Sequence, residues 1–172
     1  TDNLFAAPVF IEDIKRKFDS KSTIIVSPDV GGVVRARAIA KRVDCDLAII
    51  DKRREKAGVS EVMNVIGDVK NKKCILIDDI CDTAGTLSNA AEALKQKGAA
   101  SVYSYITHGV LSKPAIERIN NSPIDKMIIT DSIQANIEVV NSPKIEQITI
   151  AHLIGEAINR ISDNRSVSSL FA

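Results

Sequence analysis

The sequence predicts an α/β fold of three layers: a mainly parallel, twisted sheet with helices on both faces. Two observations lead there. Short apolar runs rich in Ile and Val recur along the chain, and most are followed by a stretch of helical spacing. One of them, Cys74-Ile75-Leu76-Ile77, is apolar throughout, as a strand buried on both faces must be. Strands alternating with helices close most simply as right-handed parallel crossovers, which cover both faces of the sheet.

Taken in order, Val9, Ile11, Ile14 and Phe18 form a rough helical stripe over residues 8–18, a short amphipathic helix covering one face. Thr23 to Ser27 is a strand closed by Pro28. The turn Asp29-Val30-Gly31-Gly32 then runs into a helix over residues 33–42. Leu47 to Ile50 is the next strand, delivering Asp51-Lys52-Arg53-Arg54 into a charged loop in which Gly58 allows movement. Glu61 to Ile66 reads as the returning arm of a hairpin, and Gly67-Asp68 turns the chain. The strand Cys74–Ile77 ends at the acid pair Asp78-Asp79. A small, hydroxyl-bearing turn follows, and Thr86 leads into a helix that Gly98 caps. Beyond it lie a strand over residues 101–107 ending at His108-Gly109, a short helix begun by Pro114, a strand over 127–130, a weaker strand over 145–150 and an amphipathic helix over 151–161. The tail from Arg165 is small and hydroxyl-rich.

The 172 residues are ordinary globular material, 45% apolar and 26% charged, and fit one domain. A net charge of +1 gives no bulk attraction to nucleic acid or membrane, and no apolar run approaches the roughly 20 residues that span a bilayer. Cys45, Cys74 and Cys81 are odd in number and lack zinc spacing, so reduced thiols in a cytoplasmic protein are expected. His108 and His152 are expected to be structural, a strand-terminal His being more often satisfied by backbone than by ligand. The chain starts at Thr1 without an initiator Met, which leads us to expect a piece of a longer protein.

Three segments converge at the carboxyl edge of the expected sheet: Asp29 to Gly32, Lys52 to Arg54, and Asp78 to Thr86. Strand, glycine- or hydroxyl-rich turn and helix N-terminus make an anion cradle. Carboxylates repel phosphate, so their presence beside such a cradle calls for sugar hydroxyls or a bridging Mg2+. The blander readings are a tight turn at Gly31-Gly32 and a solvated charged loop at Lys52 to Arg54. A Walker A loop, kinase signatures and a Gly-x-Ser-x-Gly elbow are absent from the sequence.

Ile75-Leu76-Ile77-Asp78-Asp79 followed by Asp82-Thr83-Ala84-Gly85-Thr86 resembles the phosphoribosyl diphosphate (PRPP) motif of type I phosphoribosyltransferases. Together with Ser27 to Gly32, Asp51 to Arg54, Glu61 to Asn64 and Ser166 to Phe171, it resembles the C-terminal half of the ribose-phosphate diphosphokinase (PRPP synthetase) family along effectively the whole chain. The resemblance implies a phosphoribosyltransferase-like domain in a cytoplasmic homo-oligomer, hexameric in the family. It implies Mg2+-dependent transfer of the diphosphoryl group of ATP to ribose 5-phosphate, giving PRPP and AMP. It assigns catalysis to Lys52 and Arg54. Ribose 5-phosphate falls to Arg54, Asp78, Asp79, Asp82, Thr83, Ala84, Gly85 and Thr86. The diphosphate loop becomes Asp29, Gly31 and Gly32, with Asp29 a Mg2+ ligand. A regulatory phosphate or ADP site falls at Ser166, Ser168 and Phe171. Nothing in the sequence matches the family's N-terminal ATP-binding domain, so the chain alone is expected to bind rather than turn over. The rival readings are a nucleobase phosphoribosyltransferase, disfavoured by 3% aromatic residues and no Trp, and a non-catalytic regulator associated with the synthetase.

Overall fold

A computed structural model describes residues 3–53 and 62–170. The elements are α1 (Ala7–Lys17), β1 (Thr23–Ser27), α2 (Val33–Val43), β2 (Asp46–Arg53), β3 (Val62–Ile66), β4 (Lys73–Cys81), α3 (Gly85–Gln96), β5 (Ser101–Gly109), α4 (Ala115–Asn121), β6 (Lys126–Thr130), α5 (Ile137–Val140), β7 (Ile145–Ile148) and α6 (Ala151–Ser162). The strands form one 7-stranded sheet in the order β3-β2-β1-β4-β5-β6-β7. All neighbours are parallel except the β2–β3 hairpin, the return predicted from the sequence.

Because strand side chains alternate, each strand feeds two cores. Ile25, Ile75, Ile77, Tyr105 and Ile128 meet α1 and α2 through Phe10, Ile14, Ala36 and Ile39. Ile24, Val26, Leu76, Ile106 and Met127 meet α3 and α4 through Leu87, Ala91, Leu94 and Ile119. These are the three expected layers. Gly98 ends α3 as predicted. With φ +88° it sits in the left-handed region, where the Gly98 N–H donates to the Lys95 carbonyl (2.9 Å) and the Ala99 N–H to that of Leu94 (3.1 Å).

Three strands are longer than their apolar runs. β2 continues to Arg53, carried by its antiparallel ladder with β3 (Lys52 opposite Met63). β4 continues to Cys81 and β5 to Gly109, pairing with each other (Ile80 opposite His108). The acid pair therefore lies within β4 and does not terminate it. β7 instead stops at Ile148, two residues early, and the four-residue α5 carries no periodic signal. It is set by Asn136, whose side-chain oxygen accepts the Val139 N–H at 2.9 Å. The three cysteines are unpaired, and burial pushes the Cys74 and Cys81 thiols up to about 12. Among the described residues no helix is long and apolar enough to cross a membrane.

One polar contact ties α1 to the sheet. The Tyr105 hydroxyl donates to buried Asp13 at 2.7 Å, beside Lys17 (3.0 Å) and Arg16 (2.6 Å), and the Tyr105 ring meets Phe10 edge-on. Burial raises the Asp13 carboxyl, but the Tyr105 hydroxyl and the two cations outweigh it and hold the group below its ordinary value. A depressed acid contributes stability above its unfolded value, near pH 4, and loses it as pH falls through the folded value. Tyr105→Phe is therefore expected to cost about 1–2 kcal/mol at pH 7 and clearly less near pH 3, measured by urea denaturation. An equal cost at both pH values would contradict the assignment.

Candidate functional site

The chain leaves β1 towards β2 on one side and leaves β4 towards β5 on the other, so neighbouring β1 and β4 diverge at their carboxyl ends. This is a topological switch point, where open α/β sheets form a crevice. The β1–β4 ladder ends at Val26 opposite Leu76, whereas β4 runs on from Ile77 to Cys81 supported, among the described residues, by β5 alone. Asp78 and Asp79 thus stand on the freed edge of β4, with the Asp29–Gly32 turn across from them.

That turn is tightly built. The Ser27 hydroxyl donates to the Asp29 carbonyl (2.7 Å), and the Gly32 N–H donates to Asp29 Oδ1 (2.8 Å). Gly32 is buried, and a Cβ there would meet Ser27 Oγ at 2.9 Å. At exposed Gly31 a Cβ would meet only Asp29 Oδ1, at 3.4 Å, so its bare backbone faces outward. Opposite, Ala84 takes a left-handed φ of +60° to start α3 and receives no side-chain cap, leaving the first N–H groups of α3 for another acceptor. Asp82, Thr83 and Thr86 are exposed around it. The Thr83 carbonyl is held by Arg118 Nη1 of α4 at 3.0 Å.

The acid pair is joined by a residue that the sequence reading left as plain helix. Arg35, in the first turn of α2, places Nη1 2.7 Å from Asp79 Oδ2 and Nη2 3.5 Å from Asp78 Oδ1. Asp78 Oδ1 also accepts the Asp79 N–H at 2.9 Å. Burial, with the Asp79 carboxylate alongside, pushes the Asp78 carboxyl up to about 6, against the pull of that N–H and of Arg35. A cation at a helix N-terminus opposes the helix dipole, and that was the available signal for Arg35. Arg118 left none, because its contact depends on how α4 packs beside α3.

Lys52 lies on β2 beyond the end of β1, at the same edge but with β1 between its strand and that of the acids, which pair with Arg35 instead. Arg54 and Phe171 lie outside the described residues. In the tail, the Ser166 and Ser168 hydroxyls are 2.7 Å apart, while Arg160 donates to the Ser166 carbonyl (3.3 Å) and to the Ser169 hydroxyl. His108 is met by a side chain, with its Nδ1 2.9 Å from the Ser132 hydroxyl, which donates to the Thr107 carbonyl. His152 is exposed at the start of α6.

The sequence model of the phosphoribosyl synthetase-associated domain matches residues 52–172. The chain belongs to that family. The ribose-phosphate pyrophosphokinase of Granulibacter bethesdensis is 64% identical over 170 residues, covering 99% of this chain and 55% of that protein. The chain thus spans about half the length of the curated relatives it matches. The crystal structure of phosphoribosylpyrophosphate synthetase from Mycobacterium smegmatis superposes with a TM-score of 0.84 at 32% identity, over 92% of this chain and 51% of that one. Orotate phosphoribosyltransferase from Aeropyrum pernix shares the fold, with a TM-score of 0.58 at 15% identity over 90% of this chain and 75% of its own.

The raised Asp78 carries a stability consequence for this chain. Between about pH 4 and 6 the folded chain keeps a proton that the unfolded chain releases, so its stability falls as pH rises through that window. Asp78→Asn removes this burden, and thermal melting should rise by several degrees at pH 7.5 and hardly change at pH 4. A variant less stable than the parent at pH 7.5 would contradict this.

Proposed function

We propose that this chain is the ribose-5-phosphate-binding half of a ribose-phosphate diphosphokinase, the C-terminal domain of a two-domain enzyme making PRPP and AMP from ATP and ribose 5-phosphate. The observation that carries the reading is the acid pair Asp78–Asp79 and, just after it at the same crevice, the uncapped N-terminus of α3, in a chain so similar to ribose-phosphate pyrophosphokinases. Carboxylates accept hydrogen bonds from ribose hydroxyls, and the N–H groups and hydroxyls of Asp82 to Thr86 receive the 5-phosphate. Diphosphoryl transfer needs little covalent help from protein. It needs the acceptor hydroxyl oriented and positive charge on the moving oxygens, a role we give to Lys52 and Arg54.

Mg2+ suits the same edge. Asp29 has one carboxylate oxygen engaged by Gly32 N–H, and a single further oxygen fits a cation that takes one or two carboxylates together with substrate phosphates and water. When bound, Mg2+ would neutralise charge on the diphosphate oxygens. ATP, PRPP, regulation by phosphate or ADP at Ser166, Ser168 and Phe171, homo-oligomer assembly and a cytoplasmic location belong to the same reading. A nucleobase transferase has only the shared fold behind it.

Calorimetry with ribose 5-phosphate tests the site. Asp79→Asn is expected to weaken binding about ten- to a hundredfold, the loss of hydrogen bonds to a charged acceptor; unchanged affinity would place the sugar elsewhere. In a steady-state assay with ATP, Mg2+ and ribose 5-phosphate, the 172 residues alone are expected to form no AMP above background. Robust turnover would refute their dependence on a further ATP-binding part.

A further inference from the structure

The Arg35 side chain reaches from the Asp29–Gly32 turn to the β4 acid pair. Its Nη2 comes within 3.8 Å of the position a Gly32 Cβ would occupy, a point 3.5 Å from Asp29 Oδ1, while the same guanidinium pairs with Asp78 and Asp79. The guanidinium therefore lies in van der Waals range of the turn, whose bare Gly32 packs so closely on Ser27 that a Cβ there would meet Ser27 Oγ at 2.9 Å. The Arg35 Nε is buried with no hydrogen-bond partner, so the contacts to the acids leave a donor of this fork unused. The Nη2–Asp78 contact is long at 3.5 Å, which makes the present arrangement only partly satisfied.

A phosphoryl anion is a better partner for such a fork than two carboxylates set at unequal distances. It offers several oxygens to parallel N–H donors, and charge-assisted bidentate pairs of this kind are the strong ones. The position of Arg35 is also adverse for a cation standing alone. It lies in the first turn of α2, where the helix dipole favours negative charge, and an anion held on the turn would reverse that disadvantage.

We propose that Arg35 is an anion-binding residue of this site: in the ligand-free protein the acid pair holds its guanidinium, and a diphosphate on the Asp29–Gly32 turn takes it over. The exchange leaves the Asp78 and Asp79 oxygens available to hydroxyl donors, so the two halves of the crevice share one cation. This rests on the reading of the turn as a diphosphate loop. It adds that Asp79 competes with the anion for Arg35, which a merely structural ion pair would not do.

The test is a double-mutant cycle on binding of inorganic diphosphate, in excess Mg2+, to the 172-residue chain, followed by calorimetry. Arg35→Gln is expected to weaken diphosphate about tenfold or more, and Arg35→Lys to restore only part of that. Asp79→Asn is expected to tighten diphosphate several-fold when Arg35 is present and clearly less in the Arg35→Gln background. The residual effect in that background is simple loss of repulsion. Circular dichroism and melting of each variant establish that it is folded. Wild-type affinity in Arg35→Gln, or the same effect of Asp79→Asn in both backgrounds, would overturn the proposal. Ribose 5-phosphate titrated into the wild type separates the two levels. If it fails to bind while diphosphate obeys the cycle, the ribose site falls and the role of Arg35 stands.

Discussion

The acid pair Asp78–Asp79 survives in the part of β4 that outruns β1 because Arg35 comes across from α2 to meet it. Two adjacent carboxylates at the carboxyl edge of a β-sheet are a poor choice for stability, and burial together with the neighbouring Asp79 holds Asp78 above the ordinary carboxylate range. Three features make the arrangement possible. β4 outruns β1, so the acids stand in a crevice and escape full burial in the sheet. β5 runs on alongside β4 and keeps the polar segment extended. Gly32 lets the turn close against Ser27, where a Cβ would meet Oγ at 2.9 Å, and so sets the start of α2 from which Arg35 reaches the acids.

Asp13 shows what a carboxylate looks like when the same fold uses it for stability. It is buried too, but it accepts the Tyr105 hydroxyl and lies beside Lys17 and Arg16, and its carboxyl is held below the ordinary value. Asp78 is moved the opposite way. One acid fastens α1 to the sheet. The other is kept short of partners at the switch point, where polar groups left partly satisfied are the ones able to take up a ligand. The strained start of α3 follows the same logic, with Ala84 in a left-handed conformation and the Thr83 carbonyl tethered by Arg118.

Much of this was legible in the sequence. The bounds of β1, the hairpin return at β3, the cap at Gly98 and the three-layer class follow from apolar runs, turn residues and local propensity. Convergence of the Asp29 and Asp78 turns follows from parallel topology once strands and helices alternate. The lengths of β2, β4 and β5 do not, because the polar residues that extend them are held by partners across the sheet: Met63 opposite Lys52, His108 opposite Ile80. The acid pair therefore read as a strand end. Arg35 read as a helix residue, since its contacts cross from α2 to β4. α5 escaped because a single Asn cap over four residues leaves no period to detect.

The central claim is that one crevice, formed where β1 and β4 diverge, holds a phosphosugar with its phosphate at the start of α3 and its hydroxyls on the β4 acids. Amide NMR of the isotopically labelled chain titrated with ribose 5-phosphate tests this most directly. Shifts concentrated at Asp78, Asp79 and residues 82–86, saturating together at one affinity, are the predicted result. Shifts centred elsewhere, such as at the Arg160–Ser169 tail or around His108, with the β4–α3 turn unmoved, would contradict it.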